Sequence, residues 1–285
     1  AIRDEQTSYL RQAALTELRS AAQLETRVIH GRLEQLAALT DGYRNLVAEA
    51  LAKPMTLPDV EIDRTDSGVM FSPRDAGGAA VFYSGATAPK RQDLDKVRRL
   101  TTLDPVMREL QRSNPLIASV YFNSWDSLNH IYPWFHTAEQ YPHDMVIPDY
   151  NFYYLADAEH NPSRGVVWTD VYLDPAGQGW MMSAIAPVYR GDFLEGVVGI
   201  DVTVDGILSE INGLPVPWDG YAMLISSDMN IMAMPPKAEQ DFGLQELTSH
   251  TYQEAIRREI FKPADFNLAQ RTETAGLAEV LQARD

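Results

Sequence analysis

The stretch from residue 166 to residue 205 holds three apolar runs, rich in β-branched and aromatic residues, that are separated by turn signals. Runs of this kind between turns predict consecutive antiparallel strands. The second and third runs are joined by Arg-Gly-Asp at 190–192, which is typical of a tight hairpin turn. Gly196 and Gly199 interrupt the third run, where glycine indicates a bulge or a close backbone approach. The chain is therefore expected to be built on an antiparallel sheet.

The N-terminal segment, residues 1–53, contains no proline and is dominated by Leu, Ala, Glu, Gln and Arg. Its apolar side chains recur at helical spacing, at Leu15, Leu18, Ala22, Ile29, Leu33, Leu36, Tyr43, Val47 and Leu51. Pro54 ends the run, and Gly31 and Gly42 are its weakest points. We expect one continuous helix, which at 1.5 Å per residue would be about 75 Å long. A helix of that length extends along more than one domain or pairs with a second copy.

The remaining segments alternate between short strands and helices. Strand patterns occur at 68–72, 79–83, 116–123, 128–135, 221–226 and 230–234. Helical patterns occur at 91–112, 149–158, 204–211 and 244–260. Because no strand pattern follows Met234, we expect a second sheet near the C-terminus to be incomplete.

Length and charge limit the classes of function. With 285 residues the chain is long enough for two domains, and its 45% hydrophobic content suffices for real cores. The net charge of −16 argues against binding to nucleic acids or anionic membranes, both of which attract an excess of Lys and Arg. The chain has no Cys, which excludes disulfides and thiolate metal sites and suits an oxidising compartment. No apolar run of about 18 residues predicts a membrane span.

Three parts of the central stretch resemble the core of the double Cache (dCache) family. They are 168–174 (Trp-Thr-Asp-Val-Tyr-Leu-Asp), 186–189 (Ala-Pro-Val-Tyr) and 194–201 (Leu-Glu-Gly-Val-Val-Gly-Ile-Asp). Each motif is short, and the order and spacing of the three make the resemblance specific. The likeness extends over residues 1–236. The dCache proteins are extracytoplasmic, PAS-like sensor domains of bacterial chemoreceptors, sensor histidine kinases and related membrane receptors.

The resemblance implies an α+β fold in which two PAS-like Cache modules, each an antiparallel sheet, are stacked along the long N-terminal helix. It divides the chain into the helix at 1–54, a membrane-distal, ligand-binding module at 55–211 and a membrane-proximal module at 212–285 that is expected to be incomplete. In the family the long helix often forms the dimer interface, so a homodimer through this helix is expected. Membrane spans would flank the fragment, outside these residues.

In amino-acid-binding dCache domains, an Arg-x-Trp-Tyr motif supplies an arginine that binds the ligand carboxylate and aromatic rings that wall the pocket. The motif aligns with 150–153 (Tyr-Asn-Phe-Tyr). The aromatic pair is retained as Phe152 and Tyr153, whereas Tyr150 stands in the arginine position. The carboxylate clamp is therefore lost here, unless an arginine from elsewhere, such as Arg164, replaces it.

The family also places a Tyr and an Asp before the next strand and another Asp at the end of the Gly-Val-x-Gly-x-Asp strand, where aspartates bind the ligand ammonium. We align Trp168 and Asp170 with the first two positions and Asp201 with the last. The resemblance thus predicts a binding site formed by Tyr150, Phe152, Tyr153, Trp168, Asp170 and Asp201. Since the ammonium side is kept and the carboxylate clamp is lost, an amine or another small polar ligand without a carboxylate is favoured over a standard α-amino acid.

Each of these residues also has a purely structural interpretation. Asp170 suits the cap of the turn before Tyr172. Asp201 suits the N-cap of the helix predicted at 204–211. The aromatic residues are equally suited to a hydrophobic core.

Four histidines occur close together in sequence with acidic residues, at His130, His136, His143 and His160. Histidine and carboxylate side chains bind zinc, but no pair shows the His-x-x-x-His spacing of a helical site. We therefore expect surface histidines and no metal. A hydrolase is not indicated, since Gly-x-Ser-x-Gly is absent. We expect neither catalytic residues nor a cofactor.

We expect the chain to be the extracytoplasmic, periplasmic part of an inner-membrane receptor, in the first instance a sensor histidine kinase. A small ligand would bind in the distal module and shift the population between two arrangements of the long helix. The alternative from another class is a structural or protein-interaction module with a vestigial pocket. An enzyme is the third hypothesis, and it requires an acid–base pair with strongly perturbed pKa values in one cleft.

Overall fold

The computed structural model describes residues 2–214, 216–246, 255 and 257–283. The fold is mixed α+β, as expected, because a long N-terminal helix precedes an antiparallel sheet of nine strands. None of the described helices has the length and apolar character needed to cross a membrane.

Contacts group the chain into two compact units. The larger unit consists of residues 36–206 and 247–263, and the smaller consists of residues 1–35, 207–246 and 264–285. The three-part domain division expected from the sequence stays a prediction.

Helix α1 (Ile2–Ala52) is continuous, as predicted, and it passes through Gly31 and Gly42 without a break. A glycine inside a helix costs only about 1 kcal/mol relative to alanine, which the many strong helix formers around it offset. Leu36 and Tyr43 lie two turns apart and are both buried. The C-terminal half of α1 therefore packs its apolar stripe into the larger unit.

The nine strands of the large sheet belong to the larger unit and pair antiparallel. In chain order they are β1 (Asp63–Arg64), β2 (Met70–Phe71), β3 (Ala80–Tyr83), β4 (Ile117–Ser124), β5 (Leu128–Tyr132), β6 (Val167–Trp168), β7 (Tyr172–Leu173), β8 (Trp180–Arg190) and β9 (Phe193–Thr203). Their order across the sheet is β1-β2-β3-β5-β4-β9-β8-β6, and β7 also pairs with β8.

The predicted hairpin is formed by β8 and β9, and Gly191 in its turn has a φ of 62°. This left-handed backbone conformation favours glycine. The first predicted run is divided into the short strands β6 and β7, however. Asp170 lies between the two strands, and its carboxylate accepts a hydrogen bond from the Val171 amide at 2.8 Å.

Both glycines inside β9 have neighbours that leave no room for a side chain. A Cβ atom at Gly196 would lie 2.1 Å from the carbonyl oxygen of Asn123, and one at Gly199 would lie 2.1 Å from Cζ of Tyr121. The predicted close approach is therefore confirmed. The side chain of Tyr121 lies directly against the backbone of β9.

The α-helices after α1 whose bounds lie within the described residues are α2 (Leu94–Thr101), α3 (Asp104–Ser113), α4 (Thr137–Gln140), α5 (Asn151–Tyr154), α6 (Val204–Asn212), α7 (Pro236–Phe242) and α8 (Ala275–Gln282). The helix predicted over 91–112 is thus two helices, because Pro105 is accommodated in the first turn of a new helix, α3. The strand predicted over 128–135 ends at Tyr132, one residue before a proline that has no amide hydrogen for the ladder.

In the smaller unit, β10 (Leu224–Ile225) and β11 (Ile231–Ala233) form a two-stranded antiparallel sheet, as the predicted hairpin requires. Among the described residues of this unit, an isolated antiparallel bridge joins Asn230, next to β11, to Asn267. The incomplete second module stays a prediction. Most of the helix predicted over 244–260 lies outside the described residues.

Candidate functional site

A narrow cavity opens on one face of the large sheet. It is lined by aromatic, amide and acidic side chains, namely Tyr121, Asn123, Asn129, Ile131, Tyr141, Phe152, Tyr172, Asp174 and Asp201. The space available to the centre of a water molecule is about 20 Å³, close to the room that a single water needs. An organic ligand can therefore enter only if part of the aromatic wall moves.

Strand register explains why residues far apart in sequence face this cavity. Side chains alternate between the two faces of a strand, so Ser119, Tyr121 and Asn123 of β4 share one face. Asn123 lies opposite Asn129 of β5. Ser119 lies opposite Asp201 of β9. The sheet thus carries a row of polar and aromatic side chains from one strand to the next.

The carboxylate of Asp201 is only 3% exposed and is held by two serine hydroxyls. Ser119 Oγ donates to Oδ2 at 2.7 Å, and Ser183 Oγ donates to Oδ1 at 2.5 Å. The Ser183 oxygen is also 2.7 Å from the hydroxyl of Tyr172. Burial raises the pKa of Asp201, and the bonds from the two serines oppose that rise. The Tyr121 hydroxyl also lowers the pKa of this carboxylate, although it makes no hydrogen bond within the described structure.

Asp174 brings a second carboxylate into the cavity from the turn after β7. It is 6% exposed and accepts hydrogen bonds from the backbone amides of Ala176 at 2.9 Å and Gln178 at 3.3 Å. Burial, and then the nearby charge of Asp201, raise the pKa of Asp174. Within the part of the chain that the structure describes, no Lys or Arg pairs with either carboxylate. Two like charges in one buried space favour the binding of a cation.

Aromatic rings form much of the remaining wall. Phe152 of α5 stacks on Tyr150, with the ring centroids 5.3 Å apart and the planes inclined by 19°. It also meets Tyr121 edge-on at 6.2 Å and Tyr172 at 5.7 Å. Aromatic faces of this kind exclude water and attract cations.

The predicted binding residues of the Tyr-Asn-Phe-Tyr motif occupy three different environments. Phe152 lines the cavity, together with Asp201 from β9. Tyr153 is buried in the hydrophobic core beside it. Tyr150 stacks behind Phe152 and faces a larger outer pocket. The motif therefore contributes one ring to the inner cavity, and its other two rings support that wall.

Trp168 and Asp170 are not among the residues that line the cavity. Trp168 belongs to β6, at the edge of the sheet. The carboxylate of Asp170 accepts a hydrogen bond from the Val171 amide at 2.8 Å, and its role as a turn cap stays a prediction.

The interpretation of Asp201 as the N-cap of the following helix is wrong. Its carboxylate oxygens accept hydrogen bonds from two serine hydroxyls. The amide of Gly206, in the first turn of α6, instead donates to Thr203 Oγ1 at 3.0 Å.

Tyr172 and Asp174 are the cavity residues that sequence reasoning missed on this side. The signal was available, since a Tyr-x-Asp spacing stands four residues after the Trp-x-Asp at 168–170 and directly before a glycine-containing turn. Asn123 and Asn129, by contrast, gave no signal, because only the pairing of β4 with β5 brings them together.

His130 is buried, contrary to the expectation of surface histidines, because β5 places it inside the larger unit. Its Nε2 atom is 2.8 Å from Oδ1 of Asp104. His160 is partly exposed, and its Nδ1 atom is 2.8 Å from Oδ1 of Asp157. Within the described residues, no group of three or more His, Cys, Asp or Glu side chains is arranged to hold a metal ion.

Arg164 does not replace the lost carboxylate clamp. Its guanidinium lies 3.8 Å from the centroid of the Tyr189 ring. It donates hydrogen bonds to Oδ1 of Asp192 at 3.0 Å and to the carbonyl of Gly191 at 3.1 Å. These contacts hold it at the β8–β9 turn, away from the cavity lining.

An outer pocket of about 590 Å³ lies beside Tyr150 and includes residues 257–259. Glu259 accepts hydrogen bonds from the Asn151 amide and from the Tyr154 hydroxyl, the latter at 3.1 Å. The carbonyl of Ile260 accepts a hydrogen bond from the Leu173 amide of β7 at 2.9 Å. Because α5 and β7 both carry or adjoin cavity residues, this segment ties together two walls of the cavity.

No family model matches the chain. Among solved structures, the chain is similar to the sensory domain of the Campylobacter jejuni chemoreceptor Tlp3 with isoleucine bound, at 12% identity and a TM-score of 0.52 over 88% of this chain and 81% of that chain. It is also similar to the ligand-binding domain of the same chemoreceptor in complex with L-norvaline, at 11% identity and a TM-score of 0.51 over 80% of this chain and 72% of that one. Likeness at this identity establishes the fold. The chain thus has the fold of chemoreceptor ligand-binding domains, as its resemblance to the double Cache sensor domains predicted.

Proposed function

We propose that this chain is the ligand-binding sensor domain of a transmembrane receptor, placed outside the cytoplasm, and that its cavity binds a small ligand with a positively charged amine. The observation that supports this most directly is the pair of buried carboxylates, Asp174 and Asp201. They face one aromatic cavity, and no Lys or Arg of the described residues neutralises them.

An ammonium group relieves the energetic cost of this arrangement. A buried carboxylate without a cation is costly, and a second like charge nearby adds to the cost. A cation between Asp174 and Asp201 offsets both effects. The rings of Phe152 and Tyr172, which also line the cavity, add cation–π attraction of about 0.5–2 kcal/mol for each good contact.

A ligand carboxylate is not expected to contribute to binding. Tyr150 stands where the family has its arginine, and Arg164 is engaged at the β8–β9 turn. A carboxylate would therefore give up its hydration without gaining a charge-assisted bond. The loss of such a bond weakens affinity by roughly ten- to a hundredfold.

The narrow cavity couples ligand binding to a change of conformation, which is what a sensor needs for signalling. Because a ligand must displace part of the aromatic wall, it binds an opened arrangement more tightly than the closed one. Such a difference in affinity is what a ligand needs to shift a conformational population. Phe152 lies on α5, which Glu259 holds at both ends, so displacement of this wall also disturbs the segment that follows Glu259.

The exposed face of α1 fits a second copy of the chain. Leu10, Leu24 and Val28 are large apolar side chains that remain exposed on its N-terminal half. With Ala14 they follow the heptad spacing of a helix that packs against another helix. We infer a homodimer through α1, and sedimentation velocity over a range of concentrations tests it. A chain that stays monomeric at all concentrations would rule this interface out.

The receptor type and location rest on the family resemblance. A periplasmic position in an inner-membrane receptor and a histidine kinase output stay predictions. A structural or protein-interaction module with a vestigial pocket is the competing function. It is disfavoured because Asp174 and Asp201 line one aromatic cavity with no Lys or Arg of the described residues beside them, and two buried carboxylates are costly without a cation.

Calorimetry with norleucine and with pentylamine, its decarboxylated counterpart, tests the proposal. Pentylamine is expected to bind at least as tightly as norleucine. Asp201→Asn is expected to abolish pentylamine binding, whereas Asp170→Asn, outside the cavity lining, leaves it unchanged. Tighter binding of norleucine, or full pentylamine affinity in Asp201→Asn, would contradict the amine proposal. No binding of either compound would favour the vestigial pocket.

A further inference from the structure

Two buried amide side chains also line the cavity, and the binding of an amine by the two carboxylates does not account for them. Asn123 and Asn129 are 2% and 4% exposed and lie opposite each other on β4 and β5. Nδ2 of Asn129 donates a hydrogen bond to Oδ1 of Asn123 at 2.7 Å. Oδ1 of Asn129 is buried and has no hydrogen-bond partner among the residues that the structure describes.

An unsatisfied buried acceptor is uncommon in a folded protein and calls for an explanation. Ile131, next along the same face of β5, shows that this part of the sheet accepts an apolar side chain. Asn129, which also lines the cavity, instead carries a buried amide oxygen without a partner in the described structure. A ligand group that donates a hydrogen bond would give this oxygen its missing partner.

The amides lie at a distance from the carboxylates that a small molecule can span. Ser119, which lies opposite Asp201, is four positions from Asn123 on β4, so the backbone positions at the two ends are about 14 Å apart at the rise of an antiparallel strand. The side chains of Asp201 and Asn129 line the same cavity from these two ends. Tyr121 lies between them, against Gly199 of β9. The cavity therefore has an acidic end, an aromatic middle and an amide end.

We propose that the ligand is two-ended, with an ammonium group at Asp174 and Asp201, a short apolar spacer along Tyr121, and an uncharged hydrogen-bonding group at Asn129. This inference rests on the proposed amine-binding function. The far group is uncharged because Asp174 and Asp201 are, in the described part of the chain, the only acidic or basic side chains that line the cavity. A hydroxyl or a carboxamide at this end fits, whereas a carboxylate or a second ammonium finds no opposite charge.

The test compares pentylamine with its terminal hydroxyl derivative, aminopentanol, by calorimetry on the parent chain and on Asn129→Leu. Aminopentanol is expected to bind the parent about tenfold more tightly than pentylamine, the effect of one hydrogen bond to an otherwise unpaired buried group. In Asn129→Leu the two compounds are expected to bind equally. A hydroxyl both donates and accepts, so it satisfies the amide in either orientation.

The outcomes separate the two proposals. If neither compound binds the parent, the amine-binding function itself fails. If both bind with equal affinity, or if Asn129→Leu keeps the preference for aminopentanol, the two-ended ligand is wrong and the amine site stands. Asn129→Asp, which keeps the shape of the side chain, provides a second variant should Asn129→Leu not fold. Its added charge is expected to make diaminopentane bind at least tenfold more tightly than it binds the parent, and no gain would contradict the inference.

Discussion

Ser183 Oγ donates a hydrogen bond to Oδ1 of Asp201 at 2.5 Å, and the two residues lie directly opposite each other on β8 and β9. The same hydroxyl is 2.7 Å from that of Tyr172. One serine therefore connects a cavity carboxylate to the aromatic wall. The register of the hairpin fixes this contact, since a slip of one residue would turn the serine to the other face of the sheet.

Ser183→Ala is expected to weaken pentylamine binding at neutral pH by about tenfold or more, because a hydrogen bond to a charged group contributes about 1.5–3 kcal/mol. Calorimetry measures the change. Ser113→Ala is the control, since Ser113 Oγ donates only to the Leu110 carbonyl on an exposed part of α3. Equal affinity in Ser183→Ala and the parent would show that this serine does not stabilise the ionised carboxylate.

The free energy of unfolding without ligand is expected to fall as pH rises above 3.8, the ordinary pKa of an aspartate. Burial raises the pKa values of Asp174 and Asp201, so the folded state holds their protons more tightly than the unfolded state does. Stability decreases wherever the unfolded state binds fewer protons. Urea denaturation at a series of pH values measures the trend, and the double variant Asp174→Asn, Asp201→Asn should reduce the slope.

Amine binding is expected to depend on pH in the opposite direction from stability, since an ammonium group binds the ionised carboxylates. The affinity for pentylamine is therefore expected to increase over the same pH range and to level off once Asp174 and Asp201 are both ionised. An affinity that is independent of pH, or that falls as pH rises, would show that these two carboxylates do not bind the ammonium group.

Gly199→Ala is expected to destabilise the fold by about 1–3 kcal/mol, because the new methyl group would overlap the ring of Tyr121 in a packed interior. The matched control is Gly42→Ala on α1, where no atom lies within 4 Å of the added methyl group. That substitution should stabilise the helix by about 1 kcal/mol. Thermal unfolding of both variants distinguishes the expected loss of stability in Gly199→Ala from the expected gain in Gly42→Ala. A stabilising Gly199→Ala would show that Tyr121 moves aside freely.

Glu259→Ala is expected to increase the rate of trypsin cleavage after the exposed residues Arg257 and Arg258 by about tenfold or more. Without the carboxylate, the Asn151 amide and the Tyr154 hydroxyl lose their acceptor, and local opening of the segment becomes easier. Limited proteolysis measures the rate, with Glu109→Ala on α3 as the control. An unchanged rate would mean that Glu259 does not hold this segment in place.

Lys96→Met is expected to lower the free energy of unfolding by about 3–5 kcal/mol, since it leaves the buried carboxylate of Asp126 without its cation. Lys96 Nζ is 2.6 Å from Oδ1 of Asp126. Burial alone would raise the pKa of Asp126, but the ammonium holds that pKa below its ordinary value. Urea denaturation measures the loss. Arg74→Met, which breaks an exposed ion pair with Glu61, should cost at most about 1 kcal/mol, and a similarly small loss in Lys96→Met would contradict the argument.

Several features were predictable from the sequence because their signals are local. The helix from Ile2 to Ala52 follows from apolar residues at helical spacing and from the absence of proline before Pro54. The hairpin of β8 and β9 follows from two apolar runs around a glycine turn. The close approach at Gly199 follows from a glycine in a strand where a side chain would otherwise favour pairing. The helix and the hairpin depend on residues that are neighbours along the chain. At Gly199 only the glycine itself is a local signal, because the ring that approaches it belongs to Tyr121 of β4.

Tertiary structure decided which residues line the cavity. Whether Asp170 or Asp174 faces Asp201 depends on how β6 and β7 pair with β8, and a difference of a few residues in a turn changes the outcome. Asn123 and Asn129 meet only because β4 pairs with β5 in one register. A sequence pattern reports the conformation of a segment, whereas a binding site needs side chains from several segments on one face. That arrangement is set by strand register and by the packing of aromatic rings, which are properties of the folded chain.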